Sequence, residues 1–524
     1  MSMTAPRPAR AGVLQPGKKL RCHNCRRRRL RCDQSYPTCH KCSISGEECL
    51  GYGIMLRWAN APAIKGKLAG QTLALKESGR QTNPTYQTTA LSWAQNPISI
   101  NLSLVDPLLS HLNKDHRRYI NHFTTVVCRD LVSLDQDDKN PFRAMVSLIG
   151  KFDYLEAVIV ATSAMHLTTL NRYRGLPPGP ELVDSLVSKD RAIRLLKSAI
   201  DQGSPTNQAM VLAAIVFFVN LDLIDSGKGG WKIHIDAAGS LISSLQERGP
   251  KNLGLDSTIA ALADAMAADC LTYRIMASTI TCAGSMAGFI QEHVDVCAVL
   301  QRAEAHSYHC CPPLILQIIL SSGLLFVPPT TPQAHPHQQQ EVRMEGYSSV
   351  TEMALSLLDQ VRSFDIIGWV HSIRGLSPND DLEARVHVAA AHRAAACLYL
   401  LLTVPEAQIV PSSPQLDDLV AEIVYHLSSI DVGHVLLKGT IWPTFMAGAQ
   451  TDDLAQREWC ASRLFAVWAE NPWVCPWGYV DSAMQMLRDI WTWRDNRPGE
   501  EALSMNWLQE LKSGVHSDSD CLIV

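Results

Sequence analysis

Cys22-His-Asn-Cys25-Arg-Arg-Arg-Arg-Leu-Arg-Cys32-Asp-Gln-Ser-Tyr-Pro-Thr-Cys39-His-Lys-Cys42-Ser-Ile-Ser-Gly-Glu-Glu-Cys49 is the stretch on which the reading of this chain turns. It falls into two similar halves, each Cys-x2-Cys-x6-Cys. A Cys-x2-Cys pair places two sulfurs on one ion with little loop entropy to lose, and zinc takes four thiolate or imidazole ligands in a tetrahedron. Six sulfurs fall short of the eight positions that two separate tetrahedra need. Either one site is incomplete or two sulfurs bridge two ions, and the symmetric spacing favours the bridged pair.

Charge supports a metal site beside an anionic partner. Two zinc ions and six thiolates leave a cluster of about −2 that needs cationic surroundings. Arg26, Arg27, Arg28, Arg29 and Arg31 fill five of the six positions between Cys25 and Cys32, and no acid precedes Asp33. A zinc module used only for protein contact has no need of such a run. Lys18, Lys19, Arg21, Arg26, Arg27, Arg31 and Lys41 are expected to touch DNA phosphates, which adds affinity that falls steeply with salt. The same basic run suits a nuclear import signal.

The stretch resembles the fungal zinc-cluster transcription factors, in all six cysteines, the basic run, Asp33 after the third cysteine and Pro37 two residues before the fourth. The resemblance implies that Cys22, Cys25, Cys32, Cys39, Cys42 and Cys49 hold two zinc ions, with Cys22 and Cys39 bridging. It also implies that the first half forms a short helix whose end enters the major groove, where Arg28 and Arg29 read a CGG triplet. The second reader is most often Lys in that family. Arginine pairs bidentately with guanine O6 and N7, so a G-rich half-site stays compatible with Arg29.

The rest of the chain is of another kind. Of 524 residues, the first 50 carry 11 Lys and Arg against 3 acids, and the remainder carries 36 against 48. A basic head on an acidic body suits a protein that meets nucleic acid through one end. Hydrophobic content of 46% is enough for a large core. Residues 1–20 lack a signal-peptide core and read as a disordered basic arm, 21–51 as the zinc-cluster domain, and 52–105, rich in Gln, Thr, Ser, Asn and Pro, as a flexible linker. No a/d heptads follow the cluster, so a homodimer through the linker is not indicated, although a homodimer remains open. The longest unbroken apolar run, Ala209–Val219, is short of a bilayer span, and no membrane partner is expected.

Residues 106–513 read as helices with short loops, an all-α regulatory body, followed by a disordered tail over 514–524. Asn140-Pro141 opens a helix that stops at Gly150. Val183, Leu186, Ile193, Leu196 and Ile200 keep one apolar face through a charged helix. The segments 153–172, 207–224, 231–247, 256–280, 347–370, 382–403, 415–429 and 457–469 read as further helices. The proline- and glutamine-rich stretch from 327 to 345 reads as a disordered loop, and Asp135-Gln-Asp-Asp138 as a solvated turn. The ten cysteines outside the cluster, without paired spacing or a secretory signal, are expected to be reduced core thiols.

The body also resembles the fungal-specific transcription factor domain, in the type shared with sterol-uptake regulators. The matching pieces are Asn140-Pro-Phe-Arg143, Trp231-x2-His234-x3-Ala-Gly239, Trp442-Pro-x-Phe445-x-Ala-Gly448 and Arg457. Together the two resemblances imply a nuclear regulator of RNA polymerase II transcription, working with transcription machinery or co-regulators on a metabolic or secondary-metabolite gene set. They also imply an alternative, in which the body binds a lipid or metabolite and controls nuclear entry or DNA access. No G-x-S-x-G, P-loop, dinucleotide fingerprint or H-E-x-x-H is present, so no catalytic residue is expected and the chain does not read as an enzyme.

Overall fold

The computed structural model describes residues 22, 24–25, 28–33, 35, 39–45 and 49, and then 109–136, 140–200, 204–247, 256–281, 295–304, 307–326, 339–374, 381–469, 477–496, 506–513 and 521–524. The chain divides into two units, 1–99 and 100–524. Every regular element among the described residues is helical, in agreement with an all-α chain carrying a small cysteine-rich head. The linker, the basic arm and residues 327–338 lie outside the described residues.

In the head, α1 (His40–Ile44) is the one helix long enough to delimit among the described residues. The body begins with α2 (Lys114–His122), which Asn113 caps and which runs through a π turn at Phe123–Val127 to Asp130. Next, α3 (Pro141–Ala144) opens as the sequence predicts: the Asn140 side chain accepts from the Phe142 N–H, Pro141 needs no donor, and Gly150 at φ +89° closes the turn that follows. Asp135 is more than a solvated turn residue. Its carboxylate takes both ends of the Arg143 guanidinium at 2.7 and 2.5 Å and a bond from the Asn140 amide, locking this corner.

The core is built on α4 (Asp153–Tyr173), α6 (Pro205–Asp225), α8 (Ser257–Ile280), α13 (Leu382–Thr403) and α15 (Ile441–Gln450), each buried over most of its circumference. Two of them, α6 and α13, are long and apolar enough to cross a bilayer, which the short run Ala209–Val219 did not suggest. The most apolar windows of the two are 94% and 83% buried inside the body, so here they serve as core helices. Around them lie α5 (Pro180–Ile200), α7 (Trp231–Glu247), α9 (Val296–Arg302), α10 (Pro313–Leu324), α11 (Gln339–Arg362), α12 (Ile366–Ile373), α14 (Leu416–Ser428), α16 (Leu454–Ala469), α17 (Tyr479–Asp495) and α18 (Trp507–Lys512).

Three expectations need correction. Helix α11 begins at Gln339, inside the stretch read as a loop to 345. The single helix read over 347–370 is two, divided before Asp365, whose carboxylate caps α12 by accepting from the Gly368 N–H. Nor is the tail disordered at its end: Cys521, Leu522, Ile523 and Val524 are at most 2% exposed. The Leu522 N–H donates to the Gly227 carbonyl and the Tyr479 hydroxyl to the Val524 carbonyl, both at 2.8 Å.

The apolar residues of α5 do not form one buried face. Leu196 is buried, but Val183, Leu186, Ile193 and Ile200 are 61%, 54%, 44% and 55% exposed. The buried face is made of Ser185, Ser188, Ala192, Leu196 and Ala199. Small side chains let α5 lie close against α4, and the Ser185 hydroxyl donates to the Ala161 carbonyl at 2.8 Å.

The pieces quoted for the regulatory domain turn out to be packing and tethering residues. Trp442 is fully buried, stacks on His392 with ring centroids 6.0 Å apart, and donates its indole N–H to Thr279. A Cβ on Gly448 would meet the Cys460 Cβ at 3.1 Å, which shows how closely α15 and α16 approach. Trp231 is buried, whereas His234 is only half-buried and stacks on Phe218. Of the ten cysteines outside the cluster, Cys282 and Cys475 lie outside the described residues. The other eight are free thiols, all buried except the half-buried Cys297.

Candidate metal centre and nucleic-acid interface

The six cysteines of the head converge on one point. The sulfurs of Cys22, Cys25, Cys32 and Cys39 lie within 4.8 Å of one another, as do those of Cys22, Cys39, Cys42 and Cys49. Two groups of four therefore share Cys22 and Cys39, whose Sγ atoms are 3.5 Å apart. Cys22, Cys25, Cys39 and Cys42 are at most 2% exposed, and Cys32 and Cys49 are half-buried.

The repeated sequence gives a repeated local geometry. In the first half the Cys25 N–H points at the Cys22 sulfur at 3.3 Å, and in the second the Cys42 N–H points at the Cys39 sulfur at 3.4 Å. Backbone donors thus aim at the two shared sulfurs, where a bridging thiolate would concentrate negative charge. Shielding from water by the surrounding chain pushes the Cys42 thiol up to about 12 and raises Cys22 and Cys25 as well. Deprotonating such a group of sulfurs needs compensating positive charge, and six thiols in two overlapping quartets are a donor set that fits thiolate-bound zinc.

Asp33 ties the halves together, a role the sequence did not reveal. Its carboxylate accepts from the Ser35 hydroxyl at 2.5 Å and from the backbone N–H groups of His40 and Lys41 at 2.9 and 3.3 Å. These bonds, the Ser35 hydroxyl first, hold the carboxyl well below the usual carboxylate range. The signal available was an isolated acid directly after the third cysteine in a basic stretch.

Arg28 and Arg29, the expected base readers, sit at the end of a helical turn that starts at Asn24. The Arg28 N–H bonds to the Asn24 carbonyl and the Leu30 N–H to the Cys25 carbonyl, both at 2.9 Å, while Arg29 takes a left-handed conformation at φ +56°. This is a Schellman-type stop with Arg29 where glycine is the usual residue. Arg28, Arg29, Arg31 and Lys41 are all exposed. Lys18, Lys19, Arg21, Arg26, Arg27 and Pro37 lie outside the described residues.

A zinc-cluster head in one chain with a body that is helical among the described residues defines a class of gene regulators, and comparison with known proteins places the chain in it. Residues 21–59 match the family model of the fungal Zn(2)-Cys(6) binuclear cluster domain, and residues 118–517 match that of the fungal specific transcription factor domain. The chain belongs to the fungal Zn(2)-Cys(6) transcription factors: it is a zinc-binding, DNA-binding regulator of transcription and not an enzyme. It is 44% identical to the acriflavine sensitivity control protein acr-2 of Neurospora crassa, over 97% of each chain. It is also 20% identical to the phomenoic acid biosynthesis cluster-specific transcriptional regulator of Leptosphaeria maculans, over 85% of this chain and 82% of that one. No solved structure matches the chain.

Proposed function

We propose that this chain is a nuclear regulator of RNA polymerase II transcription that reads CGG-containing sites through Arg28 and Arg29. The observation that carries the reading is the pair of sulfur quartets sharing Cys22 and Cys39, next to a turn that ends in two exposed arginines. Cys22, Cys25, Cys32, Cys39, Cys42 and Cys49 hold two zinc ions, whose role is to fix the fold of a module too small to have a core of its own. Arg31, Lys41 and the basic residues before and after Cys22 neutralise phosphates, and the acidic body passes regulation to co-regulators or the transcription machinery. The relatives' names, one for acriflavine sensitivity and one for a biosynthetic cluster, support a gene set concerned with a small organic compound.

The test is selection of the zinc-loaded chain on a randomised duplex library at about 150 mM salt, with zinc counted in the same preparation. Enrichment of a CGG triplet with two zincs per chain is the expected result. Arg29→Ala then costs about 1–3 kcal/mol on the selected site and little on random DNA. Equal loss on both would reduce Arg29 to a phosphate contact, and one zinc with full binding would refute the bridged pair.

A second reading, an effector-sensing body, draws support from a cleft lined by Phe142, Asp269, Thr272, Glu304 and Leu316. Asp269 meets no hydrogen-bond partner among the described residues, and burial lifts its carboxyl to about 8. The cleft has about 10 Å³ open to water centres, room for roughly one molecule, so a lipid or metabolite would have to open it. A rise in the melting temperature of the body with a candidate effector would favour this reading.

A further inference from the structure

The five most exposed aliphatic side chains of α5 lie on one side of a single helix. Val183, Leu186, Val187, Ile193 and Ile200 are 44–61% exposed, while the opposite face is already filled against the body. Scattered surface aliphatics are ordinary, but five on one helix face form a patch of the kind that marks an interaction site. Leu186, Ile193 and Ile200 recur every seven residues, so they run in a line along the outward face, as a seam between two helices requires.

We propose that α5 pairs with α5 of a second copy of this chain, antiparallel, about a two-fold axis passing at Ile193. The line Leu186, Ile193, Ile200 is symmetric about its middle member. An antiparallel partner therefore sets Leu186 against the partner's Ile200 and Ile193 against its own copy, and the same contacts repeat on the other side of the axis. Charge selects this orientation. Asp190 and Lys197 stand three residues before and four after Ile193 on the same face, so the two-fold brings Asp190 beside the partner's Lys197, twice. A parallel pair would put Asp190 against Asp190 and Lys197 against Lys197, which is repulsive at both places. Asp190 already holds Arg194 one turn on in its own helix, whereas Lys197 has no ion-pair partner among the described residues. One seam of five aliphatic residues per copy is at the small end of specific interfaces, so the dimer is a reversible one.

The experiment is sedimentation equilibrium of the zinc-loaded full-length protein without DNA over the micromolar range. A monomer–dimer equilibrium is expected, with Ile193→Asp raising its dissociation constant at least about tenfold and leaving the melting temperature unchanged, since the side chain is exposed. Asp190→Lys weakens the dimer, and Asp190→Lys combined with Lys197→Asp restores it to within about threefold of wild type. A wild-type monomer throughout would overturn the proposal and leave the face to a different protein. Indifference of the dimer to Ile193→Asp would place the contact elsewhere, and a double variant no better than the single one would refute the antiparallel register. None of these outcomes bears on which DNA the head reads.

Discussion

At Arg29 two requirements compete. The backbone turn there suits glycine, because a left-handed conformation costs a residue with a Cβ roughly 1 kcal/mol, while the proposed role needs a long guanidinium side chain. Arg29→Gly is therefore expected to stabilise the zinc-loaded head by about 0.5–1 kcal/mol and at the same time to lose affinity for the selected DNA site, whereas Arg29→Ala keeps the strain and loses the affinity. Thermal melts and titrations on the same two variants check this. Asp269 sets a second conflict, between burial and charge. Its folded-state value of about 8 lies above that of an unfolded carboxyl near 4, so the folded chain keeps a proton that the unfolded chain gives up. That contribution to stability is lost as pH rises through about 8. His122, His309 and His392, pushed down by burial to about 3, 3 and 4, act the other way: unfolding takes up protons below about 6.5, so stability falls as pH drops from there. The melting temperature of the body should therefore decline on either side of about pH 6.5, and Asp269→Asn should flatten the decline between 6.5 and 8 and steepen the one below 6.5.

Among the elements, the ends of α15, α16 and α17 are tied together by arginines, with Asp453 capping the start of α16 by accepting from the Gln456 N–H at 2.8 Å. Arg457 donates to the Thr451 carbonyl at 3.1 Å, to both oxygens of Asp495 at 2.9 Å and to Asp452 at 3.1 Å, while Arg494 reaches Asp452 and the carbonyls of Ala449 and Gln450. Asp452 and Asp495 are well exposed, so removing their partner does not strand a buried charge. Arg457→Ala should cost about 2 kcal/mol, mainly through unmet carbonyl and charge-assisted bonds, and should leave zinc content unchanged in a urea titration of the full chain. Helix existence was legible from the sequence, since periodicity, Asn140-Pro141 and Gly150 act locally. Which face of α5 is buried was not: hydropathy pointed to Val183, Leu186, Ile193 and Ile200, but close approach to α4 selects Ser185, Ser188 and Ala192, a property of the partner surface. The cysteine quartets were legible for the opposite reason, because their geometry is fixed by spacings within 28 residues.

For the molecule as a whole, residues far apart in sequence close the fold. Leu522, Ile523 and Val524 are buried against Gly227 and Tyr479, and a Cβ on Gly227 would meet the Tyr479 Cβ at 2.5 Å and the Leu522 carbonyl at 2.9 Å. Nothing local in Cys521-Leu-Ile-Val524 announces this, which is why the segment reads as a tail. Deleting residues 521–524 exposes the slot between α6 and α17 and should lower the stability of the body by at least about 3 kcal/mol, from the loss of three buried aliphatic side chains. Chemical denaturation of the shortened chain measures it.

The conflict at Arg29 also has a genetic side. Every arginine codon lies one base change from a glycine codon, and folding alone rewards that change here. An allele carrying it would escape quality control and accumulate to normal abundance, yet fail at its promoters. Screens that score regulators by protein level or heat resistance would rank such an allele as improved, although on the role proposed for Arg29 it would leave its target sites unread.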